Sequence, residues 1–384
     1  VHRGDPHVLV DATAVPADRG GVGRYVDSLL GALDRAGARM SVACQPRDAA
    51  LYDSIAPRSR IVPAGEAVAT RTARLSWEQT TLPRLARRLG ARVVHSPHYT
   101  VPLANAGASV VTLHDATFFT DSGLHSPVKA GFFRSWTRAA LRRATVCVVP
   151  SRATSNELVR TVGADRSRLR VMYHGVDPGR FHPPTPEEVA AVRRELSLGD
   201  QPYVAFLGTL EPRKNVPALI RGFAEATARR SDRPALVLAG QSGWDTEVEA
   251  ALESVPHRIR VIRSGYIPAE SLAGFLGGAA VVAYPSIGEG FGLPALEAMA
   301  CGAPVLTTRR LSLPEVGGDA VAYCGVREHQ IAHGLSTLLD DPARRAELSA
   351  AAQQRAKEFT WEACAASHRE AYAHAEYLHR KRRR

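Results

Sequence analysis

Lysine, cysteine, aromatic residues, long apolar runs and closely spaced aspartates are all scarce in this chain, and each scarcity excludes something. Only Lys129, Lys214, Lys357 and Lys381 are lysines among 49 basic residues, so a lysine beside a candidate site carries unusual weight. The five cysteines (Cys44, Cys147, Cys301, Cys324 and Cys364) are odd in number and far apart. That argues against a disulfide framework or a zinc site and fits a reducing cytoplasm. No apolar run approaches the ~20 residues of a membrane-spanning helix, and the first residues lack the apolar stretch of a signal peptide. Asp-x-Asp occurs nowhere, so a metal-held diphosphate site has no support; Asp245 and Glu247, in a polar stretch after Gly243, are a poor substitute. His329 and His333 stand at helical spacing without the glutamate of a zinc-protease motif, and read as a solvated helix face. Aromatics make up 6% of the chain and no nucleic-acid-binding module is visible, so no nucleic-acid partner is expected despite a net charge of +11.

What is present points to two domains. A chain of 384 residues exceeds one typical core. Short apolar runs at Val8–Asp11, Val93–Val94, Val110–Leu113 and Val146–Val149 alternate with helical stretches, the pattern of a doubly wound parallel sheet. Pro178, Pro183, Pro184 and Pro186 then crowd one segment, which reads as a linker. The alternation restarts with strands at Tyr203–Leu207, Ala235–Ala239, Val261–Arg263, Ala280–Tyr284 and Pro304–Thr307. The expected division is residues 1–185, residues 186–360 and a final helix with a basic tail over 361–384. Two doubly wound units in tandem place a ligand at the C-terminal ends of strands, in the cleft between them. Charge divides unevenly: residues 1–190 hold a net +9, residues 191–379 a net −3, and the tail from Arg380 to Arg384 adds +5. The basic half is therefore expected to face something anionic.

The strongest chemical signal is Glu289-Gly-Phe-Gly-Leu-Pro-Ala-Leu-Glu297, directly after a strand. Gly290 and Gly292 allow a backbone to approach a ligand closely, and a helix starting near Leu293 offers N–H groups to phosphate. The two carboxylates suit sugar hydroxyls and a ribose diol, although a tight turn with surface glutamates has the same spacing. Arg213 and Lys214, after the strand ending at Leu207 and Gly208, suit a diphosphate whose charge grows on bond cleavage, or else a solvated surface. Gly20 and Gly21 follow the first strand in Arg19-Gly-Gly-Val-Gly-Arg24, but Val26 replaces the third glycine of a dinucleotide fingerprint. His114 follows the strand Val110–Leu113, while His95 and His98 flank Pro97 in a similar loop and could approach an acceptor.

The run from Gly265 to Val305 resembles the donor-site core of family 4 retaining glycosyltransferases, with Glu289 and Glu297 in the positions of that family's two spaced glutamates. The likeness extends to the turn near Gly21, to HDATFF at His114, SRATSNEL at Ser151, HGVD at His174 and GTLEPRKN at Gly208. It implies the GT-B architecture: two Rossmann-like domains facing a central cleft, an N-terminal acceptor domain and a C-terminal nucleotide-sugar domain. It also implies Glu289, His114, Arg213 and Lys214 as catalytic residues, with the two cations on the donor pyrophosphate and His114 beside the transferred sugar. Gly20, Gly21, Gly208, Phe291, Gly292, Leu293 and Glu297 become the donor-binding set.

The stretches Ser76-Trp-Glu-Gln79 and His95-Ser-Pro-His98 resemble a mannosyltransferase-like branch of bacterial glycan biosynthesis, which makes GDP-mannose the first expected donor. A UDP-sugar donor and a nucleotide-sugar epimerase are the alternatives. Front-face displacement without a metal ion or other cofactor, and a glycan or lipid-linked acceptor, follow from the same likeness. The segment Lys129 to Arg143 mixes Phe132, Phe133 and Trp136 with five basic residues, which suits an anionic membrane surface. A cytoplasmic protein, peripheral on the inner face of the membrane, is the expectation.

Overall fold

The computed structural model describes residues 5–17, 19–105, 107–120 and 126–383, so Arg384 of the basic tail lies outside the described residues. The chain forms two compact units, one of residues 1–175 with 360–384 and one of residues 176–359. The proline-rich segment lies wholly within the second unit, because the chain passes between units ahead of it, at Gly175–Val176.

In the first unit, seven parallel strands are β1 (Val8–Asp11), β2 (Met40–Cys44), β3 (Arg60–Pro63), β4 (Val93–Ser96), β5 (Ala108–Thr112), β6 (Val146–Val149) and β7 (Leu169–Val171). Their order across the sheet is β3-β2-β1-β4-β5-β6-β7, which makes β1 and β4 the point where the winding reverses. Alternate side chains serve opposite faces. Val8, Val10, Val110 and Val148 join Leu29, Leu30 and Leu33 of the helix Gly21–Arg35, while Val111, Cys147 and Val149 join Phe133 of the helix Pro127–Arg143.

The last helix, Trp361–Arg383, belongs to this unit because it completes the first of those faces with Trp361, Cys364, Tyr372 and Ala375. A buried polar chain fixes its register. The Tyr25 hydroxyl bonds Thr112 Oγ1 and His368 Nε2, each at 3.0 Å, and His95 bonds Thr112 Oγ1 at 2.9 Å and the Tyr372 hydroxyl at 2.8 Å. His95 is thus a fully buried core histidine and not a group that approaches an acceptor. Gly175 allows the helix to start where it does: a Cβ there would overlap the backbone of Thr360 and Trp361.

The second unit repeats the plan with six parallel strands: β8 (Tyr203–Leu207), β9 (Ala235–Ala239), β10 (Val261–Gly265), β11 (Val281–Tyr284), β12 (Val305–Thr308) and β13 (Ala322–Cys324). Their order is β10-β9-β8-β11-β12-β13, so β8 and β11 flank the reversal. Leu219, Ile220 and Phe223 of the helix Val216–Thr227 are fully buried, as are Leu296, Ala298 and Met299 of the helix Leu293–Ala300. In both units the parallel strands bring every strand-to-helix connection to one edge, and the sequence-derived site residues lie on those connections.

Candidate active site

In the second unit the β8 connection passes Gly208 and forms a helical turn at Pro212–Lys214, closed by Asn215 at φ 60°. The β11 connection carries Ser286 and Glu289 before the helix Leu293–Ala300. Glu289 joins the two. Its Oε1 accepts from Lys214 Nζ at 2.7 Å, the Tyr284 hydroxyl at 2.8 Å and Ser286 Oγ at 2.7 Å, and its Oε2 accepts from Arg213 Nη1 at 2.5 Å. Arg213 Nε also donates to Glu211 at 2.7 Å, and Lys214 Nζ lies 4.6 Å from the Tyr284 ring centroid. Lys214 is 5% exposed and Glu289 6%, which rejects the solvated-surface reading of both. Burial by itself would raise the Glu289 carboxyl; Arg213, Lys214 and the hydrogen bonds outweigh it and hold the group at about 2. Burial and the neighbouring Arg213 lower Lys214 to about 8, against the pull of Glu289. The result is an ionised carboxylate saturated with donors beside two cations.

Glycines let the connections press together. Gly208 has φ 155°, and a Cβ at Gly240 (φ 132°) would overlap its backbone, as a Cβ at Gly243 would overlap that of Leu210. Gly292 (φ 99°) is the N-cap of the helix that begins at Leu293. The Phe291 ring packs edge-on against Phe359 at 5.9 Å, and Glu297, one turn into the helix, is buried at 3% exposure. Gly208, Arg213, Lys214, Glu289, Phe291 and Gly292 therefore lie on two neighbouring connections of one sheet, with Leu293 and Glu297 at the start of the helix that the second of them enters. Tyr284, Ser286, Gly240 and Gly243 belong with them and escaped the sequence reading. The spacing of Tyr284 and Ser286 ahead of Glu289 was the available signal, but Tyr284 closes an apolar strand and looked like core.

The first unit holds Gly20, Gly21 and His114. Gly20 is the N-cap of the 15-residue helix Gly21–Arg35, and a Cβ on either glycine would meet open space, so neither residue is glycine for the sake of its own unit's packing. The turn is anchored by Arg19, which donates to Asp48 at 2.8 Å, pairs with Asp27 at 3.4 Å and lies over the Tyr52 ring. His114, on the connection after β5, is half-buried, with its ring 5.2 Å from that of Tyr25 of the helix Gly21–Arg35 and 5.8 Å from that of His98. Its Nε2 lies 2.7 Å from the Pro97 carbonyl, and burial lowers the imidazole below its ordinary value. His98 is packed among Tyr99, His114 and Phe133, and burial takes it to about 3. His329 and His333 lie exposed on the helix Glu328–Asp340.

The positive excess of the N-terminal half is not gathered at the site. The helix-to-strand segments 35–39, 56–60, 87–92, 142–145 and 160–168 carry twelve arginines against one acidic residue, Asp165. All of these enter the opposite edge of the sheet, where the last helix adds Arg380 to Arg383. On the site's edge, the described connections carry Arg19 and Arg47 against Asp48, Glu66 and Asp115. The aromatic groups of the helix Pro127–Arg143 are turned inward: Phe133 is buried and Phe132 and Trp136 pack on the same core.

The buried cluster generates a stability prediction. Glu289→Gln strands two cations and should cost about 3 kcal/mol at pH 7 by urea denaturation. The Glu289 carboxyl is depressed when folded, so its contribution is complete above the ordinary carboxylate range and is lost as pH falls through about 2. The gap between wild type and variant should therefore shrink on acidification; an equal gap at pH 7 and pH 3 would contradict the ion-pair account.

Two family models cover most of the chain: "Glycosyltransferase Family 4" over residues 19–180 and "Glycosyl transferases group 1" over residues 190–355. The O-antigen chain mannosyltransferase B of Escherichia coli is 33% identical over 275 residues, 71% of each chain. A D-inositol 3-phosphate glycosyltransferase of Xylanimonas cellulosilytica is 34% identical over 59% of this chain and 56% of its own length. The crystal structure of Anabaena HepE in complex with UDP-glucose aligns with a TM-score of 0.75 at 16% identity, over 96% of this chain and 99% of that one, a likeness of fold. With both family models placed on the two doubly wound units, and their strand-end connections carrying the glutamate and cation cluster, the chain belongs to the family 4 glycosyltransferases of GT-B fold.

Proposed function

We propose that this enzyme is a retaining hexosyltransferase that moves mannose from GDP-mannose to a glycan or lipid-linked acceptor without a metal ion or other cofactor. The observation that carries the chemistry is the pairing of Arg213 and Lys214 with Glu289 at the ends of β8 and β11. Two fixed cations beside the donor diphosphate stabilise the charge that builds on it as the sugar departs, a task otherwise given to a divalent ion. The four hydrogen bonds that Glu289 accepts occupy its lone pairs and make it a poor nucleophile; it suits fixing the two cations, with the leaving phosphate assisting deprotonation of the acceptor on the same face. Mannose is supported by the 33% identity with an O-antigen chain mannosyltransferase. The UDP-glucose complex of HepE supports the alternative donor class more weakly, at 16% identity.

A thermal-shift panel tests the donor: GDP or GDP-mannose should raise Tm more than UDP or UDP-sugars at equal concentration. Product analysis with an added acceptor then separates transfer from epimerisation of the nucleotide sugar, and activity should survive excess EDTA. A preference for uridine nucleotides, or a loss reversed by magnesium or manganese, would reject the corresponding part.

Kinetics divide the roles along the donor. Glu297, assigned to the ribose, interacts alike in ground and transition states, so Glu297→Ala should mainly raise donor KM. Lys214→Ala should instead lower kcat by ~10²–10³-fold, and Lys214→Arg should not restore it, because a planar fork replaces a compact ammonium. The protonated form of Lys214 is the one on the acid side of about 8, so kcat/KM should fall above that pH in the wild type and lose this limb in Lys214→Arg. Near-normal kcat in Lys214→Ala with saturating donor would end the leaving-group assignment.

The membrane part of the reading rests on the arginine-bearing edge of the first unit and not on the inward-turned aromatics of Pro127–Arg143. Binding should therefore be electrostatic alone: co-sedimentation with anionic vesicles, none with neutral ones, and release as salt rises. Equal behaviour with both vesicle types would remove the membrane from the proposal.

A further inference from the structure

Ser76-Trp-Glu-Gln79 marks a branch of the family in the sequence, yet none of its side chains belongs to the donor cluster. In the fold it lies on the helix Arg71–Leu89 of the first unit, where Trp77 packs against the cluster that joins this helix to Leu9 and Val94 of the sheet. The two polar residues that follow reach the β4 connection. Glu78, fully buried, accepts from Thr100 Oγ1 at 2.6 Å and from Arg74 Nη1 at 2.7 Å. Gln79 donates to the Val101 carbonyl at 3.0 Å and accepts from Leu103 N–H at 2.9 Å.

The connection so held is strained and interlocked with the next one. Tyr99 sits at φ 56°, a region that non-glycine residues seldom occupy. Its N–H donates to the Thr112 carbonyl at 3.0 Å, and its hydroxyl accepts from Asp115 N–H at 3.0 Å. Two residues earlier, the Pro97 carbonyl faces His114 Nε2 at 2.7 Å. A carbonyl only accepts, so Nε2 must carry the proton, and a neutral ring then has its lone pair on Nδ1.

We propose that Glu78 and Gln79 are positioning residues for His114: their clamp on residues 97–103 holds the Pro97 carbonyl against Nε2 and fixes the imidazole as the tautomer whose Nδ1 accepts hydrogen bonds. This rests on the reading of His114 as the residue beside the transferred sugar. It assigns that histidine the chemistry of an acceptor for a sugar hydroxyl, and denies it that of an acid delivering a proton to the leaving group. The strain at Tyr99 explains why a clamp is required, since a free loop would relax the turn and withdraw the carbonyl.

The test reads the tautomer directly by 15N NMR of the full-length protein labelled at histidine, with the His114 signals identified by their loss in His114→Asn. Wild type at neutral pH should show a protonated Nε2 and a bare Nδ1. Gln79→Met should shift His114 toward the other tautomer and lower kcat by ~10–100-fold with little change in donor KM, the size expected when a reacting-site group is misplaced by about an ångström. Thr100→Ser, which keeps the hydroxyl, should behave as wild type. Should Gln79→Met fail to fold, Gln79→Glu is read in the same way, since it keeps the acceptor for Leu103 and loses the donor to Val101. A protonated Nδ1 in the wild type, or an unchanged tautomer in the Gln79 variants, overturns the inference. A changed tautomer with unchanged kcat upholds the clamp and overturns the reading of His114 as the residue beside the transferred sugar.

Discussion

A carboxylate taken out of water must meet its countercharges inside, and in the second unit that requirement organises everything around Glu289. Its partners come from β8's connection, from β11 and from its own loop, so the ion cluster can form only when all three are in register. Main-chain bonds follow the same path: Ile287 N–H and Ser286 Oγ both reach the Arg213 carbonyl, and Ser312 Oγ reaches that of Glu289. The glycines at 240 and 243 let a further connection press against Gly208 and Leu210 of the same β8 connection, where the backbones leave no room for a Cβ. The cost of desolvating three charges is offset only by such complete pairing, which ties the integrity of the site to the integrity of the fold.

The distribution of charge in the first unit has a related cause. Parallel strands with returning helices put all helix N-termini at the edge of the site and all helix C-termini at the other. The site's edge thus receives the positive ends of the helix dipoles and carries no excess of basic side chains on its described connections, and arginines at the far edge compensate the negative ends. Arg35, Arg87, Arg88, Arg142, Arg143 and Arg160 all stand in last turns. Net charge per segment predicts an anionic partner for this half; the polarity of the fold puts these arginines on the edge opposite the connections that carry Gly20, Gly21 and His114.

Much of the architecture was legible because interior parallel strands are apolar on both faces. Tyr203–Leu207 and Ala235–Ala239 could be read with correct ends for that reason. The edge strands β3, β7 and β13 were not visible: Arg60-Ile-Val-Pro63 and Leu169-Arg-Val171 have one neighbour each, carry exposed positions and show no clear period. Met40–Cys44 was missed although it is fully buried, since its serine and alanine dilute the apolar run. Within the site, residues that a glycine-rich motif frames, such as Glu289 and Gly292, stood out. Tyr284 did not, because its hydroxyl matters only once the fold brings Glu289 back to it. The same holds for His95, whose two partners, Thr112 and Tyr372, are 17 and 277 residues away.

The helix Trp361–Arg383 is synthesised after the whole of the second unit, yet it finishes the first unit. Until it arrives, the face formed by Tyr25, Leu29 and Val110 lacks its cover, and the Tyr25 hydroxyl and His95 each lack one buried partner. The second unit is contained within one uninterrupted stretch, residues 176–359, and needs nothing from outside that stretch to complete its sheet. In a nascent chain the stretch of the second unit is therefore complete before the first unit receives its closing helix, an inversion of the usual N-terminal-first order.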